Sequence, residues 1–167
     1  NTPRGLSFDS SGNLYAANVL GSTISKFDSN GVFQTSISGG GLNVPVGLAV
    51  DASNNLYAAN YNGNVSKFDS SGSFQSTIGS GNLSGPVGIA VDSSSNLYAS
   101  NVNANTISKF DSSGVFLTTI GSGNLSSPKG LAFDSSGNLY AANSNTNSVR
   151  KFDSSGVFLT SISGGGL

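Results

Sequence analysis

The chain has 167 residues and a formal net charge of −1, from eight acidic side chains, all Asp, and seven basic ones. It lacks His, Cys and Glu, which removes most general acid–base pairs, the usual zinc ligands and the cysteine nucleophile, so no catalytic residue, metal site or cofactor is expected. The bases stand singly apart from Arg150–Lys151, and no apolar run approaches the ~20 residues that cross a bilayer, so neither nucleic acid nor membrane insertion is expected.

Hydrophobic residues make up only 36%, with abundant Gly, Ser and Asn, a composition that by itself suggests a linker. The apolar residues, however, recur in short clusters at fixed offsets. Prolines fall at Pro3, Pro45, Pro86 and Pro128, and the surrounding words repeat with them. Cutting in phase gives four units, 1–42, 43–83, 84–125 and 126–167, read as one domain. A period of this size signals a repeat architecture in which each unit buries its apolar face against the next. The chain holds no Met, which suggests a processed product or a piece of something longer. Low charge with much Ser, Asn, Thr and Gly suits a secreted or cell-surface protein.

The fourth unit shows the elements in order. Pro128–Lys129–Gly130 starts a strand, because Pro cannot donate to a ladder and suits a strand's first residue. Leu131–Ala132–Phe133 is a short apolar strand. Asp134–Ser135–Ser136–Gly137–Asn138 is a tight turn, in which Asp bonds the backbone two residues on. Leu139 to Ala142 is a second strand, Asn143 to Ser148 a polar loop, and Val149 to Phe152 a third strand. A second Asp153–Ser154–Ser155–Gly156 turn leads to a fourth strand, Val157 to Ile162. Four short strands separated by turns, with no helical period, predict an all-β protein: a β-propeller of four repeats, each a four-stranded antiparallel blade. In the first strand, small residues such as Gly5, Gly47, Gly88 and Gly130 share a face, which allows close approach near an axis. In the last strand, Phe33, Thr35 and Ile37 are expected on one face, as are Phe158, Thr160 and Ile162.

The pattern P-x-G-[LI]-[AS]-[VF]-D-x-S-x-N-L-Y-A-[AS]-N, followed by [IV]-[SR]-K-F-D-S-[SN]-G-x-F, resembles the NHL-repeat propellers over all four units. The resemblance implies a fold shared by binding modules and a few enzymes. Such domains usually close with six blades, and commonly carry Asp where this chain has Asn18, Asn60, Asn101 and Asn143. Some propellers of this kind are lyases using His, and no residue here matches. The ends of the chain are in register, SISGGGL at 161–167 repeating SISGGGL at 36–42. Four blades closing alone, a segment of a longer array, and blades shared between chains all remain open, so self-association is among the expected partners.

The Asp residues read as turn formers rather than calcium ligands, since each loop holds a single acid. Tyr15, Tyr57, Tyr98 and Tyr140 read as inter-blade core with a bonded hydroxyl, and Lys26, Lys67, Lys109 and Lys151 as stems lying over a blade edge. One rim gathers Asn18, Asn60, Asn101 and Asn143, with further loop amides including Asn103. The units differ mostly on that rim. Their fourth residue is Arg4, Val46, Val87 or Lys129, and the loop after the constant Asn begins Val19–Leu20, Tyr61, Val102 or Ser144. The expectation is a non-enzymatic extracellular binding or scaffolding propeller. It would recognise a carbohydrate or protein surface through Arg4, Asn18, Asn60, Tyr61, Asn101, Lys129 and Asn143. Self-assembly through arrays or shared rings is the alternative, and a lyase or hydrolase relative a second one.

Overall fold

A computed structural model describes residues 1–167. Sixteen strands form four antiparallel sheets in sequential order. The first blade is β1 (Pro3–Phe8), β2 (Leu14–Asn18), β3 (Thr23–Phe27) and β4 (Phe33–Ser38). The second is β5 (Pro45–Val50), β6 (Leu56–Asn60), β7 (Asn64–Phe68) and β8 (Phe74–Ile78). The third is β9 (Pro86–Val91), β10 (Leu97–Asn101), β11 (Thr106–Phe110) and β12 (Phe116–Ile120). The fourth is β13 (Pro128–Phe133), β14 (Leu139–Asn143), β15 (Ser148–Phe152) and β16 (Phe158–Ile162), with one 3-10 turn at Ser144–Thr146. The four-bladed all-β reading holds. The first strands are longer than expected, starting at the proline itself, and Val157 belongs to the turn.

Each turn is built by its Asp. Asp51 Oδ1 accepts from the Ser53 and Asn55 amides, and Oδ2 from Asn55 Nδ2 and the Tyr57 hydroxyl at 3.0 Å. The same pattern recurs at Asp9, Asp92 and Asp134. A tyrosine can therefore lie in the inter-blade core because its hydroxyl is satisfied by the turn carboxylate. The lysines Lys26, Lys67, Lys109 and Lys151 set their ammonium groups 5.1–5.3 Å from the rings of Tyr15, Tyr57, Tyr98 and Tyr140. This cation–π contact is a use the sequence did not disclose.

The expectation that Phe33 and Ile37 share a face is corrected. A register shift between Lys26 and Phe27 places a bulge in each β3–β4-type pair. The bulge turns the first Phe of the last strand to the opposite side. Phe33 stacks edge-on with Phe27, and Phe158 with Phe152, at 5.9 Å between ring centres. Ile37 instead packs towards the second blade.

Three apolar cores lie between consecutive blades. The middle one sets Ala49, Tyr57, Ala59, Val65 and Ile78 of the second blade against Ile89, Leu97 and Phe110 of the third. The first strands meet most closely. A Cβ on Gly5, Gly47 or Gly88 would collide with the backbone carbonyl of Val46, Val87 or Lys129 on the next blade. Glycine is required there by the close approach of two backbones. No such core joins the fourth blade to the first. Leu6 and Phe8 are 59% and 63% exposed, whereas Leu48, the counterpart of Leu6, is 7% exposed. The four blades form an open arc.

Candidate ligand-binding site

The two ends of the blades differ in charge. All eight carboxylates sit in the turns after the first and third strands, at one end of the arc. The four lysines beside the tyrosines lie toward that end. At the opposite end, where each first strand begins and each second strand finishes, the charged side chains are Arg4 and Lys129, both exposed. The single ion pair of the molecule, Lys151 with Asp134 at 3.7 Å, belongs to the acidic end. Arg4 and Lys129 therefore have no carboxylate partner.

They share a cavity of about 360 Å³ lined by Arg4, Tyr61, Val87, Val102, Asn103, Ser127 and Lys129. Each blade contributes. Arg4 and Lys129 are the second residues of β1 and β13, Val87 is the second residue of β9, and Tyr61 and Val102 follow the last residues of β6 and β10. The loops that carry Tyr61 and Val102 are tied to the inter-blade linkers. The Tyr61 amide donates to the Val44 carbonyl, the Val102 amide to Gly85 and the Asn103 amide to Ser84. Ser127 holds a left-handed backbone with φ 53°, supported by its amide donating to Asn105 Oδ1 at 2.7 Å. Tyr61 stays 41% exposed, unlike the four repeat tyrosines. The cavity thus offers two cations, one aromatic ring and an exposed amide on walls fixed by backbone hydrogen bonds.

Of the residues singled out in the sequence, Arg4, Tyr61 and Lys129 come together here. The four asparagines do not line this cavity. Asn60, Asn101 and Asn143 are between 0% and 2% exposed, and Asn18 is buried too. Each of the first three accepts a linker amide on Oδ1, from Asn43, Ser84 and Ser126 respectively. Their Nδ2 groups donate to hydroxyls or, at Asn60, also to Asn64 Oδ1. Asn18 Nδ2 donates to Thr23 and Ser25. At Asn60, Asn101 and Asn143 these bonds engage both ends of the amide and latch the linker to its blade. Ser127 carried no sequence signal. Arg150 stands where the other blades have Ser25, Ser66 and Ser108. Its guanidinium lies 5.7 Å from the Phe158 ring, and its Nε is buried without a partner.

Residues 125–152 match the family model described as NHL repeat. No curated protein matches the chain. Among solved structures it is similar to a streptogramin B lyase, at 17% identity and a TM-score of 0.82, covering 98% of this chain and 55% of that one. It is similar to virginiamycin B lyase from Staphylococcus aureus at 18% identity and 0.83, covering 98% and 56%. It is also similar to hydrazine synthase from Kuenenia stuttgartiensis at 18% and 0.82, covering 96% and 48%. The chain spans about half the length of these structures. The comparisons bear out an NHL-repeat propeller fold. They correct the expectation that the chain is no enzyme: two of these neighbours are lyases, so the architecture is one that carries catalysis. At such identity the likeness conveys the fold, and no active-site residue comes with it.

Proposed function

We propose that this propeller arc is a binding module for an acidic saccharide, held in the Arg4–Tyr61–Lys129 cavity. The observation that carries the reading is that two cations without carboxylate partners line one cavity, at the end of the molecule that holds no acid. A sugar carboxylate or sulfate supplies the missing charge, through charge-assisted hydrogen bonds that are stronger than neutral ones. Tyr61 gives an apolar ring for a sugar face, and Asn103 both donors and acceptors for hydroxyls. A cavity of this volume, open to solvent on one side, has room for one or two rings. An acidic protein segment would satisfy the cations equally, but it would leave the aromatic and amide walls without a stated task.

The test is calorimetric titration with an oligogalacturonate and with a neutral oligosaccharide of equal length, at low and at moderate salt. The acidic ligand should bind and weaken as salt rises. Replacing Arg4 and Lys129 together by Ala should weaken it by roughly tenfold or more, the loss expected for one or two charge-assisted bonds. Equal binding of the neutral ligand, or unchanged binding by the double variant, would overturn the assignment.

A further inference from the structure

The last strand of every blade starts with a phenylalanine, and the space beside that ring is treated differently from blade to blade. In the second blade the preceding linker closes it. A Cβ on Gly40 would stand 2.7 Å from the rings of Phe68 and Phe74, so the linker backbone lies on Phe74. In the fourth blade a side chain closes it. Arg150 reaches along the sheet from β15, and its guanidinium carbon stands 5.7 Å from the Phe158 ring centre, with Nε buried. In the third blade neither happens. Ser108 occupies the position of Arg150, and a Cβ on Gly81 in the linker meets nothing within 4 Å. A cavity of about 340 Å³ opens there, lined by Asn82, Ser84, Thr106, Ser108, Phe116 and Thr119 among others. None of the molecule's other cavities lies beside Phe74 or Phe158.

We propose that the third-blade cavity binds a guanidinium group from outside the chain, an arginine side chain, in the place that Arg150 fills from within in the fourth blade. The two places are built alike: Phe116 corresponds to Phe158, Thr119 to Ser161, Asn82 to Asn124 and Ser84 to Ser126. Phe116 is held edge-on against Phe110 at 5.7 Å between ring centres and stays 38% exposed, so one side of its ring is free for a flat cation. Guanidinium is the cation that stacks on such a ring and offers a planar fan of donors. The cavity supplies acceptors for those donors. The side-chain oxygens of Asn82, Ser84 and Thr119 take part in no hydrogen bond of the molecule, whereas Ser108 Oγ is engaged by Asn101 and the Asn82 carbonyl. No Lys or Arg lines the cavity to repel a cation. Its walls are fixed, since the Ser84 and Asn103 amides tie the linker and the following loop to the blade.

Heteronuclear NMR titration of the 167-residue chain with N-acetyl-arginine N-methylamide tests this. Saturable shifts are expected at the amides of Asn82, Ser84, Phe116 and Thr119. The citrulline derivative, equally long and planar but uncharged, should bind more weakly by roughly threefold or more, the scale of one exposed cation–π contact. The lysine derivative should also bind more weakly, because its ammonium cannot stack. Free arginine, run beside the blocked derivative, assigns the source: tighter binding of the blocked form points to a polypeptide, tighter binding of the free form to the amino acid, and either is the proposed chemistry. Ser108→Arg writes the fourth blade's arrangement into the third and should abolish the response while the thermal transition persists. Phe116→Leu, at a partly exposed ring, keeps the fold and should weaken binding by a similar factor to citrulline. Unmoved signals with the arginine derivative, an equal response to citrulline, a folded Ser108→Arg chain that still binds, or parent-like binding by Phe116→Leu would each overturn the proposal. The ligand is a cation and the residues differ from those of the Arg4–Tyr61–Lys129 cavity, so this proposal and the saccharide assignment fail separately.

Discussion

The amide of Asn101 is the donor in a relay whose direction can be reasoned out, and Asn101→Asp reverses one step of it. The Ser84 amide donates to Asn101 Oδ1 at 3.0 Å, Asn101 Nδ2 donates to Ser108 Oγ at 2.9 Å, and Ser108 Oγ donates to the Asn82 carbonyl at 2.7 Å. A serine hydroxyl has one hydrogen, and that of Ser108 is engaged by Asn82, so it accepts from Asn101. A carboxylate in that place would set lone pair against lone pair. Ser108 could turn its hydrogen to it only by releasing the Asn82 carbonyl. One hydrogen bond is lost either way, and a charge is added at a site 2% exposed. Together these should destabilise the protein by about 3 kcal/mol at neutral pH, which is the scale of an unsatisfied buried group with partial relief by protonation. The introduced carboxyl gains a proton more readily in the folded chain than in the unfolded one, because only its protonated form donates to Ser108. The penalty is therefore full above its folded pKa and shrinks as pH falls towards the unfolded value near 3.9. Urea unfolding followed by circular dichroism from pH 7 to 4.5 should show the deficit against the parent narrowing. Asn101→Ala, which cannot titrate, should keep a constant deficit. An Asn101→Asp protein within about 0.5 kcal/mol of the parent at pH 7 would refute the direction assigned to the relay.

Gly88→Ala should destabilise by about 2 kcal/mol or more, as expected for forcing a methyl into a close-packed contact, because the Lys129 carbonyl cannot yield without separating two blades; thermal unfolding at the parent's level would refute the close approach. Seven of the eight carboxylates are held below the usual range. Asp134 is drawn down to about 2, first by the Asn138 side chain and then by backbone amides, while at Asp51 and Asp92 burial pushes the other way and the hydrogen bonds prevail. Depressed carboxylates contribute stability that is present above their unfolded pKa near 3.9 and is lost as pH falls through the folded values. Thermal midpoints should therefore be level from about pH 5 to 8 and fall below about pH 4; a marked step near neutrality would contradict this account.

Strands and turns were legible because four copies state each signal four times, and because Asp, Gly and Pro act within a few residues of themselves. The role of Asn60 or Asn101 was not, since its partners, the linker amides of Asn43 and Ser84, lie at the very start of the unit, seventeen residues away and ahead of the first strand. The resemblance supplied an Asp at this position, and the relay through Ser66 or Ser108 explains why an amide stands there instead. The side to which Phe33 or Phe158 points depends on a single bulge that strict alternation passes over. Arg4, Tyr61 and Lys129 were found by the differences between copies, the one kind of information that repetition itself reveals. That the first blade's face stays uncovered could not be read, because Leu6 and Leu48 hold equivalent positions of the repeat and only their neighbours in space distinguish them.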